Sequence, residues 1–465
     1  MAIYRPVAER VCDYRPVEMP LPPEIMVEEL RRCQDCGVPF CHASGCPLGN
    51  AIPEMNAEAL VGRWNSALAV LFSTSPFPEF TSRLCPALCE GACVQGLDDK
   101  PVPCRLVEYE IIERGFAAGL VRPQIPVRRS GLKAAVIGSG PAGLAAAWKL
   151  NQAGIQVTVY ERDAKPGGFL RYGIPDFKLP KEEIDRRIDI LEREGLVFEC
   201  GVEAGVDISE RLLKQRHDLL VLAIGARSKR DLNIPGRSLC GIHLATDFLS
   251  AQNRVLAGEL AQLPSEYVCR GKRVAVIGGG DTGSDCVGTA IRLGAVEVVQ
   301  FEIMPKPPQS RAENNPWPQW PKVFKTSSSQ EEGCDRAWNV DTVEFFPSED
   351  NPSRLGGLIC RQVKWVEAEG RLIRPEPVAG SEFRRPADLV LLALGFTGVE
   401  NGLLLQAMES APDKQGLLRR DRNFRLSEKV YACGDAVSGP SLVVRAIADG
   451  LAAAQAALCD ASVVN

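Results

Sequence analysis

The sequence predicts an α/β protein with a helical N-terminal domain, on three observations. Eight cysteines crowd into residues 33–104. A strand–glycine turn–helix–strand unit begins at Lys133, and a second begins at Arg273. Such units build Rossmann-like dinucleotide-binding domains. Two apolar strands, LLVLAIG ending at Gly225 and LVLLALG ending at Gly395, mark where the chain leaves one such domain for the other. The expected architecture is an N-terminal helical iron–sulfur domain followed by two Rossmann-like domains, the second inserted into the first. Residues 1–128 form the helical domain in this reading. Residues 129–250 and 396–465 form the two parts of the first dinucleotide domain, and 251–395 the inserted second one.

The cysteines come in two runs. The first is Cys33-x2-Cys36-x4-Cys41-x4-Cys46-Pro47; the second is Cys85-Pro86-x2-Cys89-x3-Cys93, with Cys104 trailing. Short loops that present several thiolates, with a Cys-Pro pair at the edge, suit iron–sulfur clusters. A disulfide framework belongs to small secreted chains, and this chain has 465 residues. A zinc site needs a companion C-x2-C or H-x3-H, which does not follow Cys33-x2-Cys36. Nine of the 17 cysteines lie in the first 104 residues, a skew that argues against scatter. The remaining cysteines read as small apolar core residues. Helical patches are expected at 54–71 and 105–118, and Val121-Arg122-Pro123-Gln124-Ile125-Pro126 reads as a linker.

In the first β-α-β unit the strand Lys133–Ile137 meets Gly138-Ser139-Gly140-Pro141-Ala142-Gly143, and a second strand ends in Glu161. In the second, Arg273–Ile277 meets Gly278-Gly279-Gly280-Asp281-Thr282-Gly283. A helix follows from about residue 284 to 293, and a strand ends in Glu302. The acid follows the first glycine by 23 positions in one unit and 24 in the other. The glycines let backbone N–H groups approach a pyrophosphate at a helix N-terminus, and the acid accepts hydrogen bonds from a ribose. Two such sites imply two dinucleotides, and FAD with a nicotinamide is the pair between which a hydride passes. FAD is assigned to the first site and NADH or NADPH to the second. Glu302 favours NADH by repelling a 2′-phosphate, whereas Lys306 and Arg311 lie close enough in sequence to reach one. Near the C-terminus, Gly434-Asp435 ends another strand. Asp435 either reaches the ribityl or pyrophosphate region of FAD or is a plain turn carboxylate.

Composition excludes other classes. The net charge is −5, and no Lys/Arg run suggests nucleic acid. No stretch of 18 apolar residues predicts a membrane helix, and MAIYRPVAER carries no apolar signal segment. A cytoplasmic protein with reduced thiols is expected. Only His42, His217 and His243 are available for imidazole chemistry, which a cofactor-based redox protein does not require.

These motifs sit in a frame that closely resembles the glutamate synthase small (beta) subunit family over nearly the whole length. The most specific pieces are Cys36-Gly37-Val38-Pro39-Phe40-Cys41-His42, the stretch from Gly167-Gly168-Phe169-Leu170-Arg171 to Asp176-Phe177-Lys178-Leu179, and Asn315-Pro316-Trp317-Pro318-Gln319-Trp320-Pro321. Related reductases share the frame, among them the N-terminal half of dihydropyrimidine dehydrogenase and the large subunit of electron-bifurcating transhydrogenases. The resemblance implies FAD, two [4Fe-4S] clusters and a nicotinamide site, with Gly168 and Arg171 at the cofactor. It also implies interleaved ligands: Cys33, Cys36, Cys41 and Cys93 for one cluster, and Cys46, Cys85 and Cys89 for the other. The fourth ligand of the second cluster is Glu108 by resemblance, with Cys104 as the alternative from spacing.

The implied function is electron input. NAD(P)H reduces FAD, and the clusters pass electrons to a large (alpha) subunit carrying FMN, which reduces 2-iminoglutarate to glutamate. Residue 2 is Ala, so no N-terminal nucleophile cysteine is expected to serve amide chemistry. A stand-alone or bifurcating flavin reductase is the enzyme alternative, and a non-catalytic dinucleotide sensor the other. Three departures from the family pattern stand out. Four residues separate Cys41 from Cys46, Lys325 and Gln330 replace an Arg and a His, and Glu302 matches the NADH-using relatives.

Overall fold

The computed structural model describes residues 3–368 and 371–464. The N-terminal part is helical. Pro23–Arg31, Ile52–Leu60, Trp64–Phe72, Pro78–Leu84 and Cys104–Ala117 enclose a core that includes Leu30, Met55, Leu71, Val107 and Ile111. The helical patch expected at 54–71 is two helices. Gly62 adopts φ +76°, a left-handed turn that ends the first helix before Trp64 starts the next. Cys104–Ala117 buries Cys104, Val107, Glu108, Ile111, Ile112 and Gly115, a spacing that keeps one stripe inward. The cysteine-bearing loops connect these helices and pack Cys33, Cys41, Cys46, Cys89 and Cys93 against their core.

Two sheets follow. The first has six strands in the order Arg425–Ser427, Val430–Ala432, Leu219–Leu222, Lys133–Ile137, Gln156–Glu161, Val197–Cys200. The second has five in the order Asp335–Trp338, Glu297–Glu302, Arg273–Ile277, Leu389–Leu392, Ile242–Leu244. The apolar strands Leu219–Leu222 and Leu389–Leu392 take equivalent places, each parallel to the strand that leads into its glycine turn. Strands of this kind are apolar throughout because helices cover both faces. Ala134, Ala135 and Val136 are accordingly fully buried. The second sheet lies in the chain between Leu222 and Arg425, so it is an insertion into the first.

The structure shifts two local expectations. Ile242–Leu244 already pairs with the second sheet, and the expected boundary at 250/251 falls inside the helix Ala245–Leu256. A strand of three residues is too short to show a period in sequence. The helix after the second turn is Asp281–Arg292, starting on the turn itself rather than three residues later. A further antiparallel sheet of Val340–Pro347, Leu355–Ala368, Arg371–Pro377 and Phe383–Pro386 projects from the inserted unit.

Candidate active site: a cavity joining two glycine turns and the cysteine loops

At the first turn, Gly138 has φ +99°, and a Cβ on it would lie 2.5 Å from the Ala223 carbonyl oxygen. A Cβ on Gly143 would lie 2.0 Å from the Gly138 carbonyl oxygen. Only glycine allows the helix Pro141–Gln152 to start this close to the sheet. No side chain caps that helix, which leaves its first N–H groups to an anion. Glu161, 4% exposed, accepts from the Ser139 N–H at 3.0 Å and from the Ser139 hydroxyl. The Ser139 oxygen in turn accepts from Gly167 N–H at 2.9 Å, which ties the Gly167-Gly168 loop to the turn. Across the cavity, Gly434 N–H donates to Asp449 at 2.7 Å and the Ser441 hydroxyl donates to Asp435 at 2.8 Å. Burial pushes the Asp435 carboxyl up to about 6.

The second turn repeats the design. A Cβ on Gly278 would lie 2.2 Å from the Ala393 carbonyl oxygen, and one on Gly283 would lie 2.1 Å from that of Gly278. The helix Asp281–Arg292 also starts without a side-chain cap. Glu302 accepts from Gly279 N–H at 2.6 Å and from Met304 N–H at 2.8 Å.

One cavity of about 1700 Å³ joins the two turns. Gly138, Gly140, Pro141, Ala142, Glu161, Gly168, Gly434 and Asp435 line one part; Gly280, Asp281 and Thr282 line the other. A single bound ligand typically occupies a pocket of about 300–1000 Å³, so this volume has room for two. Cys85, Pro86 and Leu88 form part of the same wall. Lys178 and Asp285 form an ion pair on that wall, linking the Gly167–Leu179 stretch to the helix after the second turn. Glycine spacing did not single them out, although Lys178 lies in the most specific stretch of the sequence.

Behind that wall are two smaller cavities. Cys33, Cys36, Cys41 and Cys93 line one; Cys46, Cys85, Cys89 and Glu108 line the other. Cys104 lines both. Cys85 therefore faces both the large cavity and the second small one. All 17 cysteines are outside disulfides. Burial pushes the thiols of Cys41 and Cys85 up to about 12 and that of Cys46 to about 11. Neighbouring sulfurs add to the effect, as expected where thiolates crowd without a compensating positive charge. Glu108 is 7% exposed and accepts from the Thr81 hydroxyl. Burial raises its carboxyl to about 7.

Residues 132–319 match the pyridine nucleotide-disulphide oxidoreductase family, and residues 10–119 match dihydropyrimidine dehydrogenase domain II, 4Fe-4S cluster. Among solved structures, Mycobacterium tuberculosis FprA in complex with NADPH aligns with a TM-score of 0.55 at 19% identity. It covers 72% of this chain and 86% of its own, a likeness of fold. The glutamate synthase [NADPH] small chain of Mycobacterium tuberculosis is 46% identical over 97% of this chain and 92% of its own. The chain belongs to the glutamate synthase small-chain family. As a member it is an oxidoreductase chain with a 4Fe-4S domain, and the designation small chain implies a large partner. The Bacillus subtilis glutamate synthase [NADPH] small chain is 41% identical over 95% of this chain and 92% of its own. Glutamate synthase [NADH] of Saccharomyces cerevisiae is 40% identical over 96% of this chain but only 21% of its own, so there the equivalent region is part of a longer polypeptide.

Against the family frame, three side chains expected at a cofactor point elsewhere. Arg171 is 2% exposed and donates to the Pro166 carbonyl oxygen and to Asp185, both at 2.6 Å. Arg311 donates to the carbonyl oxygens of Gln319 at 2.6 Å and Gly91 at 2.8 Å, reaching the cysteine-rich domain. Lys306 lies over the rings of Phe324 and Trp338. Closeness to Glu302 in sequence said nothing about where these side chains turn. Gly143, Gly278 and Gly283 act by close packing rather than by lining the cavity.

Proposed function

We propose that this chain is the electron-input subunit of glutamate synthase. The observation that carries this reading is the single cavity whose wall includes both glycine turns and Cys85. Bound FAD would supply the acceptor for the hydride of NADH or NADPH, and two [4Fe-4S] clusters would supply single-electron carriage toward an FMN-carrying large subunit that makes L-glutamate from L-glutamine and 2-oxoglutarate. The uncapped helix at Pro141 faces the FAD pyrophosphate, Glu161 its ribose, and Gly168, Gly434 and Asp435 its middle portion. The helix at Asp281 with Gly280 and Thr282 receives the nicotinamide dinucleotide, and Glu302 sits at its ribose.

The donor sets fit two cubes of iron and sulfur. Cys33, Cys36, Cys41 and Cys93 hold the outer one. Cys46, Cys85, Cys89 and Glu108 hold the one next to the large cavity. Glu108 is favoured because the Thr81 hydroxyl is its hydrogen-bond donor, whereas Cys104 donates to the Val102 carbonyl oxygen at 3.3 Å and is shared between cavities. No described helix is long and apolar enough to cross a membrane; thiol-rich loops of this kind suit the reducing cytoplasm, where we place the enzyme.

Anaerobic titration with NADPH and NADH, followed by flavin absorbance and electron paramagnetic resonance, tests the reading. Bleaching of the flavin and cluster signals are expected, with glutamate formed only after the large subunit is added. A protein lacking flavin, or with fewer than about four irons per chain, sinks it.

A further inference from the structure

Lys325 and Arg336 have no role in the arrangement above, yet both line the large cavity, beside Gly279, Gly280 and Thr282. Neither has a carboxylate within ion-pair distance among the described residues. Burial pushes the pKa of each down, and for Lys325 the more distant Glu90 carboxylate opposes this only in part. Aromatic rings hold both in place. The Arg336 guanidinium lies 5.0 Å from the Phe324 ring and 4.8 Å from that of Trp338. The Lys325 ammonium lies 3.7 Å from the Trp320 ring. Rings orient a cation without neutralising it. Arg336 spends one nitrogen on the Lys325 carbonyl oxygen at 3.2 Å and the Thr326 hydroxyl at 3.4 Å, leaving its other edge open.

The strand carrying Arg336 is the parallel neighbour of the one ending in Glu302: Arg336 is opposite Gln300, and Trp338 opposite Glu302. The segment carrying Lys325 is tied to the helix after the second turn by the 2.6 Å hydrogen bond between the Ser327 and Ser284 hydroxyls. Two cations outside any ion pair among the described residues thus share the cavity wall with an uncapped helix start, and Arg336 stands on the strand beside the one that ends in Glu302.

We propose that Lys325 and Arg336 form a phosphate seat for the nicotinamide dinucleotide. The inference rests on the reading that the second turn receives that nucleotide. Two phosphates can supply the anion: the pyrophosphate common to NADH and NADPH, or the 2′-phosphate of NADPH alone. Cations at this seat offset the repulsion that Glu302 exerts on phosphate.

The test measures binding of NADP⁺, NAD⁺, 2′,5′-ADP and 5′-ADP to oxidised holoprotein by calorimetry, in wild type, Arg336→Gln and Lys325→Met. Flavin and iron contents serve as the folding check. Each variant is expected to weaken binding about tenfold or more, the scale of one charge-assisted phosphate contact. Arg336→Lys should recover part of the loss. Equal losses for NADP⁺ and NAD⁺ place the pyrophosphate on the seat; losses confined to NADP⁺ and 2′,5′-ADP place the 2′-phosphate there. Affinities within twofold of wild type for all four ligands in both variants overturn the seat and leave the proposed function standing. A flavin- and iron-loaded wild type that binds no nicotinamide nucleotide overturns both.

Discussion

The two glycine turns share one design but differ in how they are closed. At the first, Ser139 adds a hydroxyl that bridges Glu161 and Gly167, and the chain returns at Gly434 and Asp435 to cover the site. The long helix Val443–Val464 packs over it so tightly that a Cβ on Gly450 would lie 2.1 Å from the Ala142 carbonyl oxygen. At the second turn Gly279 offers no side chain, Glu302 is only partly buried, and Lys325 and Arg336 stand over aromatic rings instead of in ion pairs. A sealed, hydrogen-bonded cradle suits a cofactor that stays. A charged, open one suits a substrate that must leave after each turnover. The fold uses one motif twice and surrounds it differently each time.

Substitutions at the two helix glycines should separate these roles most sharply. Gly143→Val puts side-chain atoms where the Gly138 carbonyl lies. It should give protein without flavin absorbance and without NAD(P)H oxidation. Gly283→Val makes the same clash in the second unit, yet it should keep its flavin and be reduced by dithionite but not by NAD(P)H. If both variants lose flavin alike, the two sites are not separable as argued.

The next effect concerns the cluster beside the large cavity. Glu108→Ala should lower iron content from about eight toward four per chain or replace one resonance signal, while Cys104→Ala should leave iron content unchanged. The reverse pattern assigns the ligand to Cys104.

A smaller effect is expected at Glu302. Its carboxylate accepts from two backbone N–H groups, and Glu302→Ala should raise the KM for NADH roughly tenfold, about 1.5 kcal/mol. NADPH should suffer less, because the acid also repels a 2′-phosphate.

The last effect is a pH dependence at the first turn. Burial raises the Asp435 carboxyl to about 6 in the folded chain, from the ordinary 3.8. Its folded pKa is raised, so the carboxyl costs no stability below pH 3.8, costs progressively more between pH 3.8 and about 6, and exerts its full cost above that. Flavin-free Asp435→Asn should therefore be more stable than flavin-free wild type at pH 8, by about 1–3 kcal/mol, and equal to it near pH 3.5. Thermal melts at the two pH values check this.

The turns and their acids were legible because each lies within one continuous stretch, 133–161 or 273–302, where spacing in the chain is spacing in the fold. The cysteine runs were legible for the same reason. Arg171, Lys306 and Arg311 were not, since their neighbours come from other parts of the chain: Asp185, Phe324 and Gly91. Arg336 carries no local signal either, and Lys325 stood out only as a departure from the family pattern. Their meaning comes from having no carboxylate within ion-pair distance among the described residues, which only a folded environment defines. The antiparallel sheet around Val340–Pro347 did have a signal, its partial alternation of buried and less buried positions.

The sequence by itself determined that the chain has two dinucleotide turns and two thiol-rich loops, because backbone geometry at a glycine turn and the reach of a short cysteine loop are local properties. Only the tertiary structure decided that these four features share walls. Cys85 faces both the large cavity and a thiol cavity because the helical domain packs across the mouth of the first sheet. That docking depends on contacts between residues far apart in the chain, whose sum no local pattern contains.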